Sequence, residues 1–195
     1  EGSWPMYESA TVGGALRLAN VLKVAAQKAG WGTKKLPPNT AMGIAVSSAE
    51  ERQSPTWVAG IAEVTVDPAT GNVKINRLTI AMDMGIAVNP MNIKAQIQGS
   101  ALWGASQILS EKLTLKNGAF EQTNFHEYMP IRLENIPQID VEIVQSQRHP
   151  SGVGEPASTV VAPAVANAIF NAVGSRVRQM PITAEAVLKG MSKKA

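Results

Sequence analysis

Apolar residues recur every three or four positions in three long segments, and this spacing predicts three helices. The first is Gly14–Ala29, with Gly30 placed to end it. The second spans residues 89–110, because an asparagine followed by a proline offers a favourable start to a helix. The third lies within residues 158–173, where apolar side chains four residues apart form a strip and Gly174 suits the end.

Alternating or continuous apolar runs between these segments predict strands. They cover residues 41–46, 56–66, 73–81 and 139–146. Residues 67–72 have the composition of a hairpin turn, and a shorter hairpin is predicted within residues 112–122, turning at Asn117-Gly118. The order of the elements therefore predicts an α+β fold, in which a mixed sheet with hairpins is packed by helices.

Glycine and proline residues interrupt two of the predicted helices. Gly99 and Gly104 lie inside the second helix, and each costs up to about 1 kcal/mol relative to alanine. We expect them to permit close approach of another backbone or of a ligand. Pro163 either kinks the third helix or marks its true start.

Composition limits the classes of protein to which the chain belongs. With 195 residues, of which 45% are hydrophobic, it can bury a sizeable core and is most simply one domain. The net charge is +3, but lysine and arginine are scattered rather than arranged in a stripe with aromatic residues, so nucleic acid is not an expected partner. There is no cysteine, so the chain ligates no iron–sulfur cluster and forms no disulfide, and its compartment stays open.

Two common enzyme chemistries find little support in the sequence. His126 and His149 are the only histidines, and neither has a second nitrogen or sulfur donor at ligand spacing, which argues against a zinc site held by side chains. Ser151 and Ser158 lack a nucleophile-elbow pattern and a plausible histidine partner.

The candidate chemistry lies in residues 149–156, His-Pro-Ser-Gly-Val-Gly-Glu-Pro. The two glycines let the backbone approach a large ligand closely, and Glu155 falls where loop becomes helix. A helix N-terminus holds a carboxylate ionised while burial disfavours its charge, and a general base needs the two effects in balance. The alternative is structural, because an acidic residue in a first helical turn gains about 0.3–1 kcal/mol from the helix dipole.

Further motifs stand in a fixed order around Glu155. They are DMGIAVNP at 83–90, QIQG at 96–99, QTNFHEY at 122–128, GVGEP at 152–156, APAVANAI at 162–169 and RVRQMPI at 176–182. In this order they resemble the C-terminal end of the molybdopterin-binding large subunit of the xanthine oxidase and aldehyde oxidase family. The resemblance extends from about Leu18 to Leu188 and is closest to the branch of the isoquinoline 1-oxidoreductase beta subunit and membrane-associated bacterial aldehyde dehydrogenases.

Large subunits of this family are several times longer than this chain. The resemblance therefore implies that residues 1–195 are the C-terminal part of a molybdopterin-binding domain. It also implies that the remainder lies on another chain or on a removed segment.

The resemblance assigns expected roles to individual residues. Glu155 matches the general base beside the molybdenum, and Gln96 matches the glutamine that hydrogen-bonds the molybdenum centre from the opposite side. The residues implied to line the cofactor beside them are Gly152, Val153 and Gly154. Gln98 stands where many relatives have glutamate, and this departure favours Gln96, although either side chain could point inward. The alternative for Gln96 is an exposed helix position. No side-chain ligand to the metal is expected, because the pterin dithiolene holds it.

The activity implied by the resemblance is oxidative hydroxylation of an aldehyde or N-heteroaromatic compound, with water as the source of oxygen. The implied cofactor is a molybdenum-pterin, as molybdopterin cytosine dinucleotide, with iron–sulfur clusters on a partner chain. The implied partners are the rest of the large subunit, an iron–sulfur subunit, a cytochrome subunit and a small-molecule substrate.

Two further expectations concern location and an alternative function. The resemblance favours the bacterial periplasm or a membrane-associated enzyme over the cytoplasm, although the chain has no run of 18 apolar residues that would predict a membrane span. The alternative function is that of a noncatalytic interaction domain, or of an inactive C-terminal fragment.

Overall fold

A computed structural model describes residues 14–51 and 54–192. Its elements are α1 (Gly14–Ala29), β1 (Thr40–Glu51), β2 (Ser54–Val66), β3 (Val73–Asp83), α2 (Pro90–Leu109), β4 (Leu115–Lys116), β5 (Ala119–Phe120), a 3-10 turn (Leu133–Asn135), β6 (Gln138–Ile143), α3 (Pro156–Val173) and α4 (Ala184–Ser192). One sheet has the order β1-β2-β3-β6, with β6 parallel to β3 and the other pairs antiparallel, and β4 and β5 form a separate hairpin. The predicted mixed sheet with hairpins and packing helices is confirmed.

The sheet is buried on both faces because β2 alternates its apolar side chains between two clusters. One cluster includes α2 and α3 and receives Val58, Ala62 and Val64 from β2. The other cluster includes α1 and receives Trp57, Ala59 and Ile61. The pairing of β2 with β3 shifts register after Glu63, so that Asn76 is the extra residue on β3 and Ile75 faces the same cluster as Leu78.

The helix α3 lies directly on the edge strand β1. A Cβ atom on Gly43 would lie 2.1 Å from the carbonyl oxygen of Ala164, so only glycine permits this separation. Two asparagines of α3 then donate side-chain N–H groups to β1: Asn167 to the carbonyl of Ile44 at 3.0 Å and Asn171 to that of Met42 at 2.8 Å. These bonds satisfy polar groups of an edge strand.

Close helix packing explains one of the two interruptions in α2. A Cβ atom on Gly104 would lie 3.1 Å from Cβ of Val161 and 3.2 Å from the backbone of Ser158, so the expected close approach of another backbone is confirmed. Pro163 lies inside α3, which starts seven residues earlier at Pro156. The helix α3 is long and apolar enough to cross a membrane, but its buried side chains pack against the sheet and α2, and this packing accounts for their apolar character.

Several predicted boundaries were wrong. The strand β1 continues to Glu51 because it pairs with β2 along its whole length. The strand β6 stops at Ile143, because its partner on β3, Met82, is the last residue but one of that strand. Each strand of the small hairpin has only two residues. The helix α4 was not predicted, because it has nine residues and Val187 is the residue that it buries.

Candidate functional site

The loop that leads into α3 is held by buried hydroxyl groups. Thr56 is fully buried at the start of β2, and its Oγ1 donates to the carbonyl of Gly152 at 2.6 Å. The same atom lies 2.7 Å from Oγ of Ser151, while the backbone N–H of Ser151 donates to the carbonyl of Met84 at 2.8 Å. Residues 151 and 152 are therefore fixed to the ends of β2 and β3.

The loop after β3 passes directly beside this segment. Gly85 has a φ of +81°, and a Cβ atom there would lie 2.1 Å from the carbonyl of His149, so the position requires glycine for two reasons. The backbone N–H of Ile86 donates to the carbonyl of Arg148 at 3.0 Å. The motif at residues 83–90 and the motif that precedes Glu155 thus form one packed unit.

Asp83 fixes this unit to α1. Its carboxylate is buried and accepts two hydrogen bonds from the guanidinium of Arg17, at 2.7 Å from Nε and 2.6 Å from Nη2. It also accepts the backbone N–H of Gly85 at 3.0 Å. A bidentate pair of this kind fixes orientation as well as position. The sequence pattern did not predict this pair, although an aspartate between two methionines, at the end of a strand of apolar residues, indicates a carboxylate that needs a partner.

Glu155 is the residue immediately before α3, as predicted. It is exposed, and its side chain makes no capping hydrogen bond to the helix. Within residues 14–51 and 54–192, no hydrogen bond or ion pair engages its carboxylate. The structural alternative, stabilisation of Glu155 by the helix dipole, requires no hydrogen bond and therefore stays open.

Ser100 joins the start of α3 to α2. Its Oγ donates to the carbonyl of Glu155 at 3.0 Å and accepts the backbone N–H of Ser158 at 3.0 Å. Gln96 lies four residues before Ser100, about 6 Å along the same helix. The fold therefore brings the second motif, residues 96–99, next to Glu155.

The two glutamines of this motif have different surroundings. Nε2 of Gln98 donates to the carbonyl of Ile139 in β6, at 3.4 Å. Gln96 is exposed on the outer side of α2, as Glu155 is at the start of α3. The amide of Gln96 is thus the one left free of such a bond to the sheet. That both side chains line one pocket stays a prediction, since they lie on an exposed surface.

Two glycines on this surface have open space beside them. Chain neighbours and the helix's own backbone aside, a Cβ atom on Gly99 or on Gly154 would meet no atom of residues 14–51 and 54–192 within 4 Å. Gly99 is exposed in the middle of α2, so neither backbone strain nor packing inside the described chain explains it. Gln96, Gly99, Gly154 and Glu155 are all exposed and belong to the two segments that Ser100 joins, and we call these four residues the open face. Val153, between the two loop glycines, does not belong to the open face, because it packs against the apolar cluster that includes α2 and α3.

A segment with little regular structure, residues 111–136, leaves the far end of α2. The carboxylate of Glu127 accepts backbone N–H groups from Thr123 and Asn124, at 2.7 and 3.0 Å, and the bond from Thr123 lowers the pKa of Glu127. A hydrogen bond to the carboxylate of Glu111 raises the pKa of Tyr128. The segment is ordered by its own polar groups.

Most of the large apolar side chains of this segment are nevertheless exposed. The exposed fractions are 92% for Phe125 and 85% for Leu133. The other large apolar residues exposed there are Leu113, Leu115, Phe120, Met129 and Ile136. Several exposed large apolar residues within one segment are typical of an interaction surface.

Three cavities lie away from the open face, and the described residues contain no candidate metal site. Cavities of about 300, 360 and 410 Å³ are lined by residues of the α3–α4 region, of residues 113–128, and of β3 with residues 109–135. Residues 14–51 and 54–192 contain no group of three histidine, cysteine, aspartate or glutamate side chains that could hold a metal ion.

Comparison with known proteins identifies the family. The profile of the molybdopterin cofactor-binding domain matches residues 19–137. The chain is 46% identical to the membrane-bound aldehyde dehydrogenase [pyrroloquinoline-quinone] of Gluconacetobacter polyoxogenes, over 93% of this chain and 23% of that protein. It is 29% identical to isoquinoline 1-oxidoreductase subunit beta of Brevundimonas diminuta, over 85% of this chain and 21% of that protein. The chain spans about a fifth to a quarter of these relatives.

A solved structure has the same fold. The aldehyde oxidoreductase of Desulfovibrio desulfuricans aligns with 70% of this chain and 16% of its own, with a TM-score of 0.61 and 27% identity. Since the family profile matches more than half of the residues, the chain belongs to the molybdopterin cofactor-binding domain family.

Proposed function

We propose that this chain forms the C-terminal part of the large subunit of a molybdenum-dependent oxidoreductase. The reaction is oxidative hydroxylation of an aldehyde or N-heteroaromatic compound, with water as the oxygen source and Glu155 as the general base. The observation that carries the proposal is the contact of Ser100 with the start of α3. This contact supports the proposal because it joins α2, one helical turn after Gln96, to the backbone of Glu155, whose carboxylate has no hydrogen-bond partner among the described residues.

The residues of the open face fit a large cofactor. Gly99 and Gly154 leave space where a Cβ atom would stand, and Gln96 offers an amide that both donates and accepts hydrogen bonds. Gly152 and Val153 belong to the anchored part of the same loop, so in this proposal they shape its wall. When bound, the molybdenum-pterin supplies the two-electron redox chemistry and the metal's own ligands, so the chain has to supply position and electrostatics.

The roles of the side chains follow from these positions. The carboxylate of Glu155 takes a proton from the water-derived oxygen that attacks the substrate carbon. The loop before it is held by Thr56, so the base stays fixed relative to the sheet. The amide of Gln96 holds the cofactor from the α2 side. Such fixed positioning of the reacting groups lowers the entropic part of the barrier.

We further propose the composition of the assembly. Iron–sulfur clusters reside on a partner subunit because this chain has no cysteine, and a cytochrome subunit passes the electrons on. The pterin is the cytosine dinucleotide form. A membrane-associated or periplasmic enzyme is favoured because the relative from Gluconacetobacter polyoxogenes is named membrane-bound.

Native mass spectrometry combined with metal analysis tests the proposal. The assembly purified through this chain should contain molybdenum, a pterin nucleotide and polypeptide that supplies the rest of the large subunit. The name of the relative from Gluconacetobacter polyoxogenes includes pyrroloquinoline quinone, so the same sample should also be analysed for that quinone. A metal-free, colourless assembly would favour a noncatalytic interaction domain, and a quinone without molybdenum would overturn the proposed cofactor.

Filling the space beside Gly99 is expected to reduce cofactor binding without harming the fold. Gly99→Leu places a side chain on the open face, while a helix interior gains stability when glycine is replaced. We expect at least about tenfold less molybdenum per chain, with an unchanged or higher thermal midpoint. Gln27→Leu, an exposed position of α1 on the other face of the sheet, is the control and should keep full metal content.

Removing apolar side chains from residues 111–136 is expected to weaken assembly with the rest of the enzyme. Phe125→Ser with Leu133→Ser removes two exposed side chains whose burial would stabilise an interface, so the affinity should fall at least about tenfold. Leu16→Ser on α1 serves as the exposed apolar control. Unchanged assembly of the double variant, measured by size-exclusion chromatography with light scattering, would assign the interface to another surface.

A further inference from the structure

The two helices at the open face are capped in different ways. At the start of α2, Oδ1 of Asn89 accepts the backbone N–H of Asn92, which is an ordinary N-cap made by the residue before the helix. At the start of α3 the residue before the helix is Glu155, and its side chain makes no such bond. The equivalent backbone N–H, that of Ser158, points to a side chain from the other helix.

We infer that Ser100 caps α3 from α2 and is thereby a positioning residue for Glu155. Its Oγ accepts the N–H of Ser158 at 3.0 Å, close to the 3.1 Å of the cap on α2. The N–H of Ser158 is shared with the carbonyl of Glu155, at 2.9 Å. The hydroxyl of Ser100 donates to that same carbonyl, at 3.0 Å. One buried hydroxyl thus performs the cap, and it shares the carbonyl of Glu155 with the hydroxyl of Ser158, which donates to that carbonyl at 2.8 Å.

The consequence concerns the carboxylate of Glu155. An aspartate at an N-cap position accepts a backbone N–H of its own helix, and Glu155 carries the same carboxylate at that position. Because Ser100 accepts the N–H of Ser158, the carboxylate of Glu155 does not have to cap α3 and can remain on the open face. Without the hydroxyl of Ser100, the carboxylate would be drawn back to cap α3. The positioning role of Ser100 rests on the proposed function of Glu155 as the base. The capping of α3 by Ser100 does not depend on that function.

The chain offers a matched control in Ser106. Ser100 and Ser106 are both buried on α2, and each accepts a backbone N–H from a neighbouring segment through Oγ. Ser106 accepts that of Ile131, at 2.9 Å, and so holds residues 111–136 instead of the start of α3. Replacing either serine by alanine removes the same kind of bond.

The test uses the molybdenum-containing assembly with Ser100→Ala, Ser106→Ala and Ser100→Thr, which keeps the hydroxyl. Hydrogen–deuterium exchange at the amide of Ser158 should become about fivefold faster in Ser100→Ala and stay unchanged in Ser106→Ala, which should affect Ile131 instead. The kcat of Ser100→Ala should fall about tenfold with KM little changed, because a positioned base acts in the transition state. Ser100→Thr should restore both values.

A double variant separates this inference from the proposed function. In the background of Glu155→Gln, Ser100→Ala should cause no further loss of kcat, since it acts through Glu155. Unchanged exchange at Ser158 would overturn the capping. Faster exchange with an unchanged kcat, in an enzyme that Glu155→Gln inactivates, would overturn the positioning role while leaving the proposed base intact. Normal turnover of Glu155→Gln would instead overturn the proposed base, and the exchange data would still decide the capping.

Discussion

Replacement of Glu155 by glutamine is expected to lower the turnover of the molybdenum-containing assembly at least about 100-fold, while the fold is unaffected. Glutamine keeps the shape of the side chain but cannot take a proton. The fold should not change, because the side chain of Glu155 makes no capping bond and is exposed. Steady-state kinetics, with molybdenum content and thermal midpoint measured on the same sample, provide the check.

A control distinguishes catalysis from a helix-dipole effect in this experiment. Glu185 lies in the first turn of α4 and so, like Glu155, stands near a helix N-terminus, and Glu185→Gln removes a charge from a similar electrostatic environment. Its turnover should remain within about twofold of the parent. If Glu155→Gln retained near-normal turnover, Glu155 would be an ordinary acidic residue at a helix start.

Replacement of Gly43 by alanine is expected to destabilise the domain by about 3 kcal/mol or more. The added Cβ atom would lie 2.1 Å from the carbonyl oxygen of Ala164 and 2.2 Å from the backbone nitrogen of Ala168. These contacts are with helix backbone, which cannot move aside as a flexible side chain does. The helix α3 would therefore be forced away from β1, and Glu155 at its start would be displaced with it.

Thermal unfolding of the assembly that contains the chain measures this effect. The control is Gly99→Ala, because its Cβ atom meets no atom within 4 Å and because alanine stabilises a helix by about 0.5–1 kcal/mol relative to glycine. The two substitutions are chemically identical and are predicted to shift the thermal midpoint in opposite directions. A Gly43→Ala protein as stable as the parent would mean that α3 sits farther from β1 than described.

Hydrogen bonds from distant parts of the sequence hold the short backbone segment around residues 152–155. Thr56 reaches Gly152 across 96 positions of sequence, and Ser100 reaches Glu155 across 55. Arg17 and Asp83, 66 positions apart, fix the adjoining loop. The carboxylate that we propose as the base is thus positioned by three separate parts of the chain, which is the arrangement that precise catalytic positioning requires.

The sequence by itself determined the elements whose cause is local. Helical spacing predicted α1 within residues 14–29, the left-handed Gly174 ended α3 as expected, and the proline after Asn89 began α2. The position of Glu155 at the start of α3 was also predictable, because a loop motif followed by an apolar strip requires only neighbouring residues. The order of motifs further indicated the family, which the profile over residues 19–137 confirms.

Tertiary structure decided everything that depends on which elements meet. The parallel pairing of β6 with β3, and the neighbourhood of the Gln96 motif and Glu155, have no local signal. Ser100 illustrates the reason: by sequence it is a small polar residue within a helix, and its role arises only because α3 begins beside it. Propensity and periodicity report each segment's own preferences, whereas such contacts depend on the packing of whole elements around the core.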